Sequence, residues 1–186
     1  MSFEMDQVRA TQEHIRLVGG YLQKCILQLV NRSRFHDASK FDDSEWPYFV
    51  AHTAKLSELT YGSPEYKDAL DAMRPAIEQH YSKNRHHPEH FVKWSCNGCF
   101  TEYHGEMPNR CTLCGYSQMQ KEPDLSQMSL VKLLEMLCDW IAATARHNDG
   151  DILKSLEVNQ ERFRYSDEMK KIFTNTVEAL TQSARK

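Results

Sequence analysis

The segment CNGC-x11-CTLC constrains the fold more than any other stretch, because two C-x-x-C pairs separated by eleven residues ask four side chains to meet at one point. Each C-x-x-C turn places two thiolates on one edge of a tetrahedron, and Gly98 and Gly115 suit the tight turns this requires. Cys96, Cys99, Cys111 and Cys114 are therefore expected to hold structural zinc as a ribbon or knuckle. Four thiolates close the coordination shell, so this site should fix a loop rather than perform chemistry. A redox-active C-x-x-C would come singly within a thioredoxin-like strand and helix pattern, which the chain lacks. Cys25 and Cys138 sit in apolar helical contexts and are expected as buried free thiols.

Outside this segment the hydrophobic spacing is helical. Val8, Thr11, Ile15, Val18, Leu22, Cys25 and Leu29 recur at intervals of three and four, one face of a long helix, with His14 on its flank. Asp43 and Ser44 are placed to cap a second helix ending near Tyr61-Gly62, and Ser63-Pro64-Glu65 restarts a third running to about Lys83. Ser129 to His147 is apolar on nearly every side and reads as the central buried helix. Asp149–Phe163 and Ser166 to about Ala184 complete the chain, the last with Met169, Ile172, Phe173, Val177 and Leu180 inward. That last helix either completes the core or pairs with a second subunit as a homo-oligomer. The expected fold is all-α: one helical domain over 1–94 and 119–186, interrupted by the cysteine insert at 95–118.

Length and charge narrow the function. At 186 residues, 26% of them charged and 40% hydrophobic, the chain fits one soluble globular domain with a small insert. A net charge of -3 provides no electrostatic footprint for duplex nucleic acid. The N-terminus lacks a secretory pattern, and no run of about eighteen apolar residues occurs, so the expected location is cytoplasmic, away from membranes.

Seven of the nine histidines (His14, His36, His52, His80, His86, His87, His90) precede the cysteine segment. His52, His104 and His147 have no second ligand type near them in sequence. In His36-Asp37, by contrast, an imidazole adjoins a carboxylate able to bridge two cations, and Lys40 follows one turn later. Asp139 lies in the apolar stretch LLEMLCDWIAA, where an ionised carboxylate is costly unless a metal or cation pairs with it. The alternative for Asp139 is an ion pair with Lys132 or Arg146.

The order His14, His36-Asp37, His80, His86-His87, Asp139 resembles the HD-domain superfamily of metal-dependent phosphohydrolases. More narrowly, RFHDASKF, YGSPEY, HYSKNRHHPEHF and EMLCDWIA resemble a family of small phage and bacterial proteins with this HD-like pattern. The resemblance implies an HD-like helical bundle with an inserted four-cysteine zinc ribbon. It also implies that His14, His36, Asp37 and Asp139 hold one divalent metal (Mn, Co, Mg, Fe or Zn), with Lys40 reaching a substrate phosphate. Two-metal relatives use further histidines, matched here by His80 and by His86 or His87. They usually place them on separate helices, whereas His80 and His86 are six residues apart, and which of His86, His87 and His90 points inward stays open.

Such a site suits hydrolysis of a nucleotide or related phosphate ester. Lys40, Arg85 and Arg34 would neutralise phosphate, and Glu89 or His87 would protonate the leaving group. The same ligands would serve a diiron oxygenase, and the ribbon also fits a non-enzymatic, metal-stabilised phage accessory protein that binds a host partner. A phage-encoded chain would work in the host cytoplasm.

Overall fold

The computed structural model describes residues 2–60, 63–146 and 150–182. Tyr61-Gly62, His147, Asp149 and Ala184, the expected ends of four helices, lie outside the described residues. The described chain is mostly helical, with one small antiparallel sheet, and divides into two compact units, Met1–His36 and Asp37–Lys186.

The first unit is one helix, α1 (Ser2–Phe35), longer at both ends than the stripe from Val8 to Leu29 predicts. No proline interrupts it, and Arg32 and Arg34 in its last turn complement the negative end of the helix dipole. A lone helix has no interior, so its apolar stripe finds no partner within its own unit.

The second unit begins with a short 3-10 turn, Ala38–Phe41, followed by α2 (Trp46–Glu58). Helix α2 starts at Trp46 with Glu45, rather than Asp43 or Ser44, at its N-cap, and Pro47, which has no N–H to donate, sits in its first turn. The single helix expected over 64–83 is two: α3 (Pro64–Ala72) and α4 (Arg74–Lys83), joined at the buried Met73. Pro75 explains the break, since in a continuous helix its ring would collide with the carbonyl of Asp71. Ser63 caps α3, its hydroxyl accepting from the Tyr66 amide.

Strands β1 (Val92–Cys96), β2 (Glu102–His104) and β3 (Met119–Pro123) form an antiparallel sheet in the order β2-β1-β3. Trp94 on the central strand lies opposite Tyr103 and Lys121. The sheet starts immediately after the histidine-rich turn, and the Asp124 amide returns to donate to the Phe91 carbonyl at 2.7 Å.

Three helices close the chain: α5 (Leu130–Ala145), α6 (Ile152–Phe163) and α7 (Asp167–Gln182). Ser129 caps α5, and Asp151 caps α6 through the Leu153 and Lys154 amides. Their core contains Leu133, Met136, Leu137, Leu156, Phe163, Phe173 and Val177, with Phe91 and Met128 from the preceding segment. Trp140 stacks on Phe163 at 5.9 Å, nearly parallel. Phe173 and Val177 of α7 face this core and Met169 packs on it, whereas Ile172 and Leu180, expected inward, are exposed. Cys138 is also exposed, contrary to the buried thiol expected of it, because α5 buries one face and leaves the face of Cys138 and Leu130 to solvent. Cys25, on the lone α1, is exposed as well. No helix among the described residues is long and apolar enough to cross a membrane.

Candidate metal centre

Asp37 opens the second unit with φ 57° and ψ 17°, in the left-handed region. Aspartate is among the few non-glycine residues that tolerate it, and such torsions are retained where the surroundings over-determine them. The torsion starts the 3-10 turn, so that Lys40 comes back over Asp37, its Nζ 2.5 Å from Asp37 Oδ2 and over the Phe49 ring. The other carboxylate oxygen, Oδ1, faces two imidazoles: His80 Nε2 at 3.2 Å and His86 Nε2 at 3.3 Å.

His80 and His86 reach this point from different local structures. His80 lies in the last turn of α4, and Asn84 ends that helix with its amide donating to the His80 carbonyl. The chain then turns, the His87 amide donating to the Asn84 carbonyl, which carries His86 and His87 back beside His80. Their spacing of six residues thus brings them together across a helix end, and Pro88 starts the next turn, buried. His87 Nε2 is 3.0 Å from His80 Nε2. Asp37, His80, His86 and His87 each offer one ligand atom, all within 4.8 Å of one another. Ligand bonds of about 2.1 Å would separate donors by about 3.4 Å along a tetrahedral edge, close to the distances seen.

The electrostatics agree with a cation-binding centre. Burial alone would raise the Asp37 carboxyl, but His80, His86 and Lys40 together hold it well below the usual carboxylate range. Burial and the neighbouring rings of His86 and His80 push His87 down to about 2, partly opposed by Asp139 and Asp37. His87 is therefore a neutral ring at physiological pH, which suits a ligand better than a proton donor.

Two carboxylates that sequence reasoning did not single out back the rings. Glu45, fully buried, places Oε2 2.9 Å from His80 Nδ1 and 3.1 Å from the Ser39 hydroxyl. Glu135 on α5 places Oε1 3.4 Å from His86 Nδ1. A signal for Glu135 existed: it lies four residues before Asp139, so both acids share one face of an otherwise apolar helix. Glu45, in the polar run DDSE, had no such mark.

His90 is engaged elsewhere, Nδ1 at the Tyr81 carbonyl and Nε2 accepting from Arg85, so His86 and His87 are the members of the HHPEH turn that join the cluster. Arg85 also lies over the Phe91 ring. Glu89 pairs with Arg162 of α6, and burial raises its carboxyl above the ordinary value although Arg162 pulls it down. Asp139 is half-buried on α5, and its charge is felt at His87. His36 is bonded directly to Asp37 and closes the first unit, in which His14 and Arg34 lie on α1. His104, which has no partner in sequence, sits 3.0 Å from Asp124 Oδ2.

The four cysteines also converge. Cys96 and Cys114 sulfurs are 3.5 Å apart and Cys99 and Cys111 sulfurs 3.4 Å, near the spacing of about 3.8 Å that Zn–S bonds of about 2.3 Å give across a tetrahedral edge. The two loops repeat one geometry: the Phe100 amide donates to the Cys96 carbonyl, the Gly115 amide to the Cys111 carbonyl, and both residues are left-handed. The Gly98 amide points at Cys96 Sγ. The Tyr103 hydroxyl donates to Cys111 Sγ and, as the largest effect, brings that thiol down to about 5, whereas at Cys114 the lowering by the Tyr116 backbone is outweighed by the Cys99, Cys96 and Cys111 sulfurs, which push it up to about 12. The donor set fits a metal, and thiolates favour zinc.

A model of a family of unknown function, DUF5662, matches residues 4–186. The chain belongs to that family. The match spans both units and the candidate metal ligands. No curated protein and no solved structure matches the chain.

Proposed function

We propose that this DUF5662 member is a metal-dependent phosphohydrolase of the HD type, acting on a nucleotide or related phosphate ester. The observation that carries the reading is the convergence of three imidazoles on the Asp37 carboxylate beside an ammonium group. A divalent cation held there would lower the pKa of bound water to about 7 and polarise a phosphoryl oxygen.

The chain's own residues would do the rest. Asp37, His80, His86 and His87 supply donors, and the resemblance adds His36, His14 and Asp139. Lys40 is a compact charge that a phosphate oxygen can draw from Asp37. Arg85 and Arg34 are the further candidates for phosphate. Glu89, its carboxyl raised by burial, is better suited than the neutral His87 to protonate a leaving alkoxide. The four-cysteine cluster would hold structural zinc.

The test is metal analysis of protein purified without chelator, followed by assay of nucleoside mono-, di- and triphosphates and cyclic dinucleotides with Mn²⁺ or Co²⁺. The expected result is zinc plus a second divalent metal, and phosphate or nucleotide release that Asp37→Ala abolishes, because the cation that activates water is no longer held. One zinc and nothing more would leave a metal-stabilised binding protein. Two irons would move the reading to oxygen activation.

A further inference from the structure

The buried carboxylate of Glu45 has no place in the ligand set above, and its surroundings determine what it does. It is fully buried, accepts from the Ser39 hydroxyl, and lies 2.9 Å from His80 Nδ1. Two other polar groups approach that nitrogen, both from farther away: the Ser39 hydroxyl at 3.2 Å and the Asn84 amide nitrogen at 3.0 Å. Counting protons separates them. The Asn84 amide has two hydrogens, and they go to the Ser39 hydroxyl oxygen at 2.7 Å and the His80 carbonyl at 2.9 Å. The Ser39 hydroxyl has one, directed at Glu45 Oε2. With the Glu45 carboxyl ionised, no neighbouring hydrogen remains for Nδ1, so Nδ1 carries its own and donates it to Glu45.

We propose that Glu45 is a positioning residue, one that fixes His80 as the Nδ1–H tautomer so that Nε2 presents its lone pair to the centre at Asp37. The inference rests on the metal-centre reading above for its consequence, though not for its geometry. Glu135 lies on the corresponding side of His86, at a longer 3.4 Å from Nδ1. Outer carboxylates of this kind orient a ligand and raise its basicity, and removing one typically weakens metal binding about 10- to 100-fold.

The experiment is nitrogen-15 NMR of histidine-labelled full-length protein, with His80 assigned by loss of its signals in His80→Gln. Wild type should show His80 Nδ1 protonated and retaining its proton when Mg²⁺ or Zn²⁺ is added. In Glu45→Gln that Nδ1–H signal should shift or exchange between tautomers, and Zn²⁺ affinity of the histidine centre should fall at least about 10-fold. An unprotonated Nδ1 in wild type would overturn the proposal, and that measurement needs no variant able to misfold. A protonated Nδ1 in a protein whose histidines bind no metal would uphold the positioning of His80 and overturn the hydrolase reading instead. A Glu45→Gln protein that melts lower but binds Zn²⁺ with unchanged affinity would reduce Glu45 to a packing role and overturn the proposal.

Discussion

At the scale of single residues, three left-handed torsions outside glycine among the described residues mark where local preference yields to the surroundings: Asp37, Phe100 and Arg164. Asp37 starts the turn that returns Lys40, and Phe100 follows the first cysteine pair as Gly115 follows the second. The pair Phe100 and Gly115 separates backbone cost from packing. A Cβ added at Gly115 meets nothing within 4 Å, yet its φ of 74° penalises any side chain. Gly115→Ala should therefore lower the stability of the zinc-loaded protein by about 1 kcal/mol, from torsion alone. Phe100 has a similar torsion with a ring that is 78% exposed, so Phe100→Gly should be neutral or stabilising, within about 1 kcal/mol. Denaturant midpoints of the two variants check this. Equal destabilisation by both would show that the Phe100 ring contributes packing that its exposure does not suggest.

At the scale of elements, sequence periodicity located α5, α6 and α7 and the cysteine loops because their signals are local: the cap at Ser129, apolar stripes, and paired thiols. It missed the break at Met73, where one proline outweighed a continuous apolar pattern, and it placed the start of α2 too early. The candidate site was legible as residue types, His36-Asp37, His80 and the HHPEH turn, but not as a shell. Glu45 is 35 residues from His80, and only the packing of the Asp42–Trp46 turn against α4 brings them together. The α5–α7 core carries a pH signature of its own. Tyr165 is buried against Phe173 and donates to the Leu156 carbonyl, and burial pushes its hydroxyl up to about 12. The folded state thus favours neutral tyrosine, and stability from this group is complete below about pH 10, the unfolded value, and is lost as pH rises towards 12. Wild type should exceed Tyr165→Phe by about 1 kcal/mol at about pH 8, the worth of the hydrogen bond, and the gap should shrink in melting curves taken from about pH 10 to 12. Parallel curves would mean that the hydroxyl is already reached by solvent.

At the scale of the whole molecule, the second unit holds two candidate metal clusters of opposite chemical character, joined by the short stretch from Pro88 to Val92. The cysteine cluster is soft and closed, whereas the Asp37 centre mixes imidazole with a hard carboxylate. Mn²⁺, a cation that prefers oxygen and nitrogen, should distinguish them by binding the Asp37 centre and leaving the thiolates to zinc. A cation that binds only the folded state stabilises it by about 2.7 kcal/mol at a concentration about a hundredfold above Kd. Wild type should therefore melt progressively higher as Mn²⁺ is added, and Asp37→Ala should not respond. Cys96→Ser should start from a much lower melting temperature, because structural zinc affinity is itself folding free energy, but should retain the Mn²⁺ increment as long as it folds. Additive behaviour of this kind is expected of sites without shared ligands. If the increment also disappears in Cys96→Ser, the cysteine loops are what hold the HHPEH turn in place. The route for that coupling is visible, since the Asp124 amide ties the end of β3 to the Phe91 carbonyl, one residue beyond His90.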